Sequence, residues 1–237
     1  MTRLSRLTAR LIGVTILLSG TALPLLARAG GGRNVGGSLL LYIILAPFLL
    51  LYAWYINRRI NKKRKAAEAL LQKASVKDPV WEESHLEAVV RTRFLEIQHA
   101  WCDQDLDALK QRLCPDLLAQ WTAQIKMQQS AGQSDRMDGL TIDSVRMVEV
   151  QDYRDNSRDS FSACIDASAM DYTVDSRGNV VESNTSSRRK AANKELSTEA
   201  FREFWTFRRV GDDWLLERID QSADWKRTVD APLVDEG

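Results

Sequence analysis

The stretch Phe161-Ser-Ala-Cys-Ile-Asp-Ala-Ser-Ala169 alternates without a break. Phe161, Ala163, Ile165, Ala167 and Ala169 fall on one side, Ser162, Cys164, Asp166 and Ser168 on the other. Successive side chains of a β-strand point to opposite faces, so the pattern predicts a strand with one apolar face. The alanines on that face leave room for a helix to lie close over it. Working outward, Leu140–Val150 reads as a second strand with a register change near Ser144. On the other side Asp175-Ser-Arg-Gly-Asn179 reads as a turn, and Glu182 to Ser197 as a polar, mobile loop. Phe201–Val210 predicts a third long strand, Gly211-Asp-Asp213 a turn, and Trp214–Ile219 the returning arm of an antiparallel hairpin.

Before residue 130 the period is that of a helix. Leu86, Val90, Phe94, Ile97 and Trp101 recur at intervals of four, four, three and four, one apolar stripe on an amphipathic helix. Asp103-Gln-Asp105 interrupts it and caps a short helix over Leu106–Leu113. Pro115 occupies the first position of a third helix that turns Leu117, Leu118, Trp121 and Ile125 inward. Ser130–Asp135 reads as a polar loop. Helices followed by a strand meander is the α+β pattern. The expectation is about three helices packed on a curved, roughly four-stranded antiparallel sheet.

From Val35 to Ile56 the chain runs 22 residues without a charge, and six of the next nine are basic: Arg58, Arg59, Lys62, Lys63, Arg64 and Lys65. About 20 apolar residues in a helix cross a hydrocarbon core of about 30 Å, so this predicts a transmembrane helix over 38–57. Arg28 and Arg33 alone face the basic cluster from the other side, and the positive-inside bias places everything after residue 57 on the cytoplasmic side. Arg3, Arg6 and Arg10, an apolar Leu11–Leu26 and Ala27-Arg-Ala29 have the three parts of a secretory signal. Residues 1–29 are a signal peptide or, if kept, a first membrane helix. The expected location is the bacterial inner membrane, single-pass after cleavage. An acid-free, Arg-bearing leader leaves the mitochondrial inner membrane as the alternative.

The net charge of +1 conceals an asymmetry. Residues 1–67 hold 11 Lys or Arg and no Asp or Glu, leaving 22 basic against 32 acidic side chains in the remaining 170 residues. A nucleic-acid-binding domain carries the opposite sign, so that class is excluded. The basic cluster suits anionic phospholipid headgroups, at about 1 kcal/mol per Lys or Arg. Cys102, Cys114 and Cys164 show no paired spacing and read as core residues, and His85 and His99 stand fourteen apart with no ligand set around them. No metal or cofactor is expected. Asp166 and Asp171 fall on opposite faces of their strand and make no acid–base pair, so no catalytic residue is assigned.

Three blocks remain: Trp101 with Asp103-Gln-Asp105; Asp171-Tyr-Thr-Val-Asp175 before Gly178-Asn-Val-Val-Glu182; and Glu203-Phe-Trp-Thr-Phe-Arg208 followed by Trp214-Leu-Leu-Glu-Arg-Ile-Asp-Gln221. Together they resemble the C-terminal domain of subunit 44 of the mitochondrial translocase of the inner membrane and its bacterial relatives, over about Pro79 to Asp224. The Glu-aromatic-Trp-Thr-Phe-Arg block is the most specific part; the family's common Tyr after Glu is Phe204 here. The Gly-rich segment before the membrane helix is short. The resemblance implies a cystatin-like or nuclear-transport-factor-2-like domain, membrane-associated and without catalytic activity. Relatives tether a chaperone to a protein-conducting channel, touch anionic lipid, or receive the ribosome at a membrane. The resemblance does not extend to the long N-terminal region through which the import subunit holds its chaperone, so that partner is not carried over.

The expected division is 1–29 leader, 30–37 Gly-rich linker, 38–57 transmembrane helix, 58–78 basic stalk, 79–226 α+β domain and 227–237 disordered tail. The expected function is a membrane-anchored adaptor that holds an unidentified protein partner near the inner membrane, in translocation or membrane biogenesis. The alternative is a membrane-surface lipid-binding module. Phe94, Trp101, Trp205 and Phe207 are the candidate lining of an apolar pocket. Simple core packing of the same rings is the competing reading.

Overall fold

The computed structural model describes residues 35–183 and 196–236, with the side chains of the first helix from residue 45 onward. The leader, residues 30–34 of the Gly-rich linker and most of the Glu182–Ser197 loop lie outside the described residues, and the rest of the linker, from Val35, is helical. One compact unit, Ile16–Lys62, is described from residue 35, and a second contains Lys63–Gly237.

Helix α1, Val35–Ala74, belongs to both units. Its described side chains from Leu45 to Tyr55 are largely exposed and apolar, with Phe48, Leu50 and Leu51 at 58–65 % exposure. Among the described residues, no helix is long and apolar enough to cross a membrane.

In the second unit a short 3-10 turn, Pro79–Trp81, follows α1, as the Asp78-Pro79 break predicts; the Asp78 carboxylate accepts from the Val80 amide. Helices α2 (Glu83–Cys102), α3 (Leu106–Lys110) and α4 (Pro115–Ser130) come next. Asp105 caps α3 by accepting from the Ala108 amide, and Pro115 opens α4. Six strands follow: β1 (Gln133–Asp152), β2 (Ser160–Asp175), β3 (Val180–Ser183), β4 (Glu199–Val210), β5 (Asp213–Gln221) and β6 (Val234–Asp235). They form one sheet in the order β5-β4-β2-β1-β6, with β3 added to β2. Three register shifts in β1, one of them between Ile142 and Ser144, bend the long β1–β2 pair and curl the sheet into a half-barrel.

The alternating face of β2 is the floor of the core. Phe161, Ala163, Ile165 and Ala167 meet Trp205 and Phe207 of β4, Trp214 and Leu216 of β5, the Leu86–Trp101 stripe of α2, and Trp121 and Ile125 of α4. Phe161 stacks on Phe207 at 5.1 Å and meets Trp214 edge-on at 4.8 Å, geometries that add about 0.5–1.5 kcal/mol per pair beyond area burial. The α+β class, the three helices and the burial of Trp101, Trp205 and Trp214 match the sequence reading.

The structure differs from it in several places. The sheet is mixed rather than antiparallel, because β6 joins β1 in parallel. Ser130–Asp135 is not all loop, since β1 starts at Gln133 and pairs with β2 as far as Asp175. Apolar alternation fails there, but cross-strand polar contacts take its place: Thr141 with Ser168, and the Tyr172 hydroxyl donating to Asp138. The segment read as a disordered tail is ordered through residue 236. Helix α5, Trp225–Val229, buries Trp225, Thr228 and Val229, and the Thr228 hydroxyl donates to Asp220. Finally, the helix read as a basic stalk carries Ala67, Leu70, Leu71 and Ala74 into the core cluster.

Candidate functional site

The four aromatic residues expected to line a pocket are core. Phe94, Trp205 and Phe207 have no exposed surface and Trp101 keeps 8 %. The Phe94 and Trp205 rings lie 4.8 Å apart, Trp205 and Phe207 6.2 Å, while Trp101 packs edge-on against Trp121 at 4.8 Å. The physical reason is the cover: the Leu86–Trp101 stripe of α2 packs into the same core cluster as the inner faces of the strands and fills the concave side of the sheet. Trp205 is also fixed by its indole N–H, which donates to Glu203 at 2.9 Å, and Gln221 donates to the same carboxylate at 3.0 Å. Burial pushes the Glu203 carboxyl up. The Glu-aromatic-Trp block and the Gln221 end of the hairpin are thus one buried unit.

The basic collar divides. In the first unit, the Arg58 guanidinium lies 5.4 Å over the Trp54 ring, and Arg59 lies over Tyr55 while donating to its hydroxyl at 2.9 Å. In the second, Lys63 donates to the Ala231 carbonyl and Arg64 pairs with Glu68. Arg58, Lys62 and Lys65 are exposed. Sequence counting weighed all six alike and had no signal for the internal engagement of Lys63.

Two polar clusters escaped the sequence reading. At one end of the sheet the nearly buried Arg209 binds Asp78 at 2.5 Å and the fully buried Asp159 at 3.3 Å, and donates to the Gly211 carbonyl. It ties the α1–α2 junction to β4. At the other end, Asp135 of β1 accepts from Trp101 Nε1 of α2 at 3.0 Å, Gln128 Nε2 of α4 at 2.7 Å and the Thr173 hydroxyl of β2 at 2.8 Å. Asp171 stands beside it, and burial, then Asp135, Glu203 and Glu182, push its carboxyl up to about 7. On the opposite face, as the alternation requires, Asp166 is gripped by Arg146 and Arg202 at 2.5 Å each; burial opposes ionisation, but the two guanidiniums hold its carboxyl below the usual range. Among the described residues, no group of three or more His, Cys, Asp and Glu is placed to hold a metal ion.

Comparison with curated proteins gives no match. Among solved structures, the chain is similar to the intermembrane-space region of the chloroplast protein ARC6, at 14 % identity and a TM-score of 0.38, covering 56 % of this chain and 90 % of that one. A family model, the Tim44-like domain, matches residues 67–221, a span that begins at the first core residue of α1 in the second unit and ends at the Gln221 that holds Glu203. The chain belongs to the Tim44-like domain family.

Proposed function

We propose that this protein is a non-catalytic, membrane-anchored adaptor whose C-terminal domain, on the cytoplasmic side of a bacterial inner membrane, holds a protein partner close to the bilayer. Membership of a family associated with membranes and protein translocation, and generally without catalytic activity, supports the coarse form of this reading. The single observation that favours the anchored form is helix α1. It exposes apolar side chains from Leu45 to Tyr55, passes through the basic collar, and ends with four residues in the domain core. Apolar side chains exposed all round a helix call for an apolar surrounding. Arg58, Lys62 and Lys65 then meet anionic headgroups.

Closed packing of Phe94, Trp101, Trp205 and Phe207 favours a partner on the outer surface of the domain over an acyl chain among those rings. Co-purification after mild detergent extraction tests the choice: a stoichiometric protein supports the adaptor, and bound phospholipid with no protein supports the lipid-handling module. A reporter active only outside the cytoplasm, fused after Gly237, should be silent; its activity overturns the topology.

A further inference from the structure

The end of the chain and the basic stretch of α1 are opposite in charge. Residues 230–236 carry Asp230, Asp235 and Glu236 and no Lys or Arg, whereas Lys62, Lys63, Arg64, Lys65, Lys73 and Lys77 stand against the single Glu68 over residues 62–77. Two of those lysines hold the C-terminal segment: Lys63 donates to the Ala231 carbonyl and Lys73 to the Asp235 carboxylate. Between the two holds, Leu233 packs half-buried against the core. Strand β6 then pairs with β1 over two residues, and the Glu236 amide donates to the Asp152 carbonyl at 2.8 Å. These attachments are slight. A two-residue parallel ladder is short. The Lys73–Asp235 pair is exposed, a kind that contributes little and is screened by salt. Helix α5, just before the segment, is fixed independently by buried Trp225, Thr228 and Val229, so the segment can leave without it.

An anionic bilayer offers Lys63 a stronger partner than a neutral carbonyl, and it repels an acidic segment lying beside that lysine. Reach decides which hold it can open. Lys63 follows Asn57, where the apolar run ends, by about 9 Å of helix rise, and Lys73 by about 24 Å. Surface charge acts over about 10 Å at 0.1 M salt, so it competes for Lys63 and leaves Lys73 alone. We propose that residues 230–236 are an acidic strap with two catches, one at Lys63 that an anionic membrane surface opens and one at Lys73 that it does not. The inference rests on the anchored reading, which brings the basic stretch to the bilayer. Closed, the strap keeps Lys63 from headgroups and covers the Gln151–Asp152 edge of β1. With the first catch open, Lys63 passes to lipid and β6 is held by Lys73 and its short ladder alone, so the edge of β1 is bared more often over an anionic bilayer than over a neutral one.

The test is amide hydrogen exchange at residues 234–236 of the full chain, in nanodiscs of phosphatidylcholine with and without phosphatidylglycerol. The anionic discs should speed exchange at least about fivefold, the change that one lysine's headgroup attraction of about 1 kcal/mol amounts to. The difference should vanish in about 1 M salt, where screening shortens to about 3 Å. Lys63→Gln should exchange fast in both discs and lose the lipid response; Lys73→Gln should start faster and keep it. Equal rates in the two discs, or a lipid response that survives Lys63→Gln, overturns the strap. A chain that does not enter the discs overturns the anchored reading instead, and vesicles of the same two compositions, added to the free chain, then decide the strap by the same rates.

Discussion

Removing residues 63–78 should cost the domain most of its stability, although the Asp78-Pro79 break invites a cut at that point. Leu70 and Leu71 are buried, at about 1.5–3 kcal/mol each, and Ala67 and Ala74 add about 0.8 kcal/mol per buried methyl. Loss of Asp78 also leaves Arg209 with Asp159 and the exposed Asp212 in place of three carboxylates, a loss of about 1–3 kcal/mol. The sum, about 5–10 kcal/mol, is comparable to the whole net stability of an ordinary domain, about 5–15 kcal/mol. Urea unfolding followed by tryptophan fluorescence should separate fragments 63–237 and 79–237 by at least about 2 M in midpoint, at a slope of about 1–3 kcal/mol per M, or find the shorter one unfolded. Leu71→Ala in the longer fragment should cost about 2–5 kcal/mol. Lys73→Ala, which breaks an exposed pair with Asp235, should cost less than about 1 kcal/mol. If 79–237 unfolds at the midpoint of 63–237, the end of α1 is an ornament and the packing argument is wrong.

Trp205→Ala should cost about 3–5 kcal/mol in the same fragment, and an unchanged melting temperature would place the ring at the surface. Arg209→Met should cost about 3–5 kcal/mol by leaving Asp159 buried without its cation, and Arg209→Met with Asp159→Asn should recover part of that loss in urea unfolding. Stability of 63–237 should fall as pH rises from about 4 to about 7, by up to about 4 kcal/mol, because folded Asp171 keeps its proton to about 7 while the unfolded chain releases it near 3.8. Asp171→Asn should flatten that slope; an unchanged one would assign the linkage elsewhere. A fragment from Asn57 should bind anionic vesicles weakly and leave them in about 1 M salt, where screening shortens to about 3 Å, and Lys62→Glu with Lys65→Glu should remove the binding.

Alternation and helical spacing were enough to read the core. The Phe161–Ala169 strand, the Leu86–Trp101 stripe and the register change beside Ser144 all rest on local periodicity, and all appear in the structure. What escaped depends on contacts far apart in sequence. Nothing local marks Leu70 and Leu71 as core, because the lysines and arginines before them make the segment read as solvated. The tail 227–237 has no apolar period, and its order comes from Asp220, from the edge of β1, and from the Lys63 and Lys73 side chains. The aromatic rings were found, but their burial comes from α2 and α4 closing over the sheet, which no local pattern states. Asp171 carried the resemblance as one letter of a block; its burial is visible only once the strands are assembled.

Of the blocks that carry the family resemblance, the Glu203–Arg208 strand and the hairpin arm after it are the most buried, while Asp103, Asp105, Gly178, Asn179, Val181 and Glu182 are exposed. Glu203, Trp205, Phe207, Trp214 and Asp220 are each no more than 4 % exposed, and Asp171 is 8 % exposed. Their chemistry is satisfied inside the domain: Glu203 by Trp205 and Gln221, Asp220 by Arg218, Arg227 and Thr228. Such residues specify a fold, and a shared fold hosts different partners through different surfaces. A partner surface on this domain is therefore expected outside those buried residues, such as on the exposed turns of α2 and α4. A relative's partner does not follow from the match. On this reasoning, charge reversal on the exposed faces of α2 and α4, at Glu83 and Lys126 for example, should change what co-purifies while leaving the urea midpoint within about 0.5 M of the parent. The same reversals leaving the co-purifying set unchanged would move the partner site elsewhere on the chain.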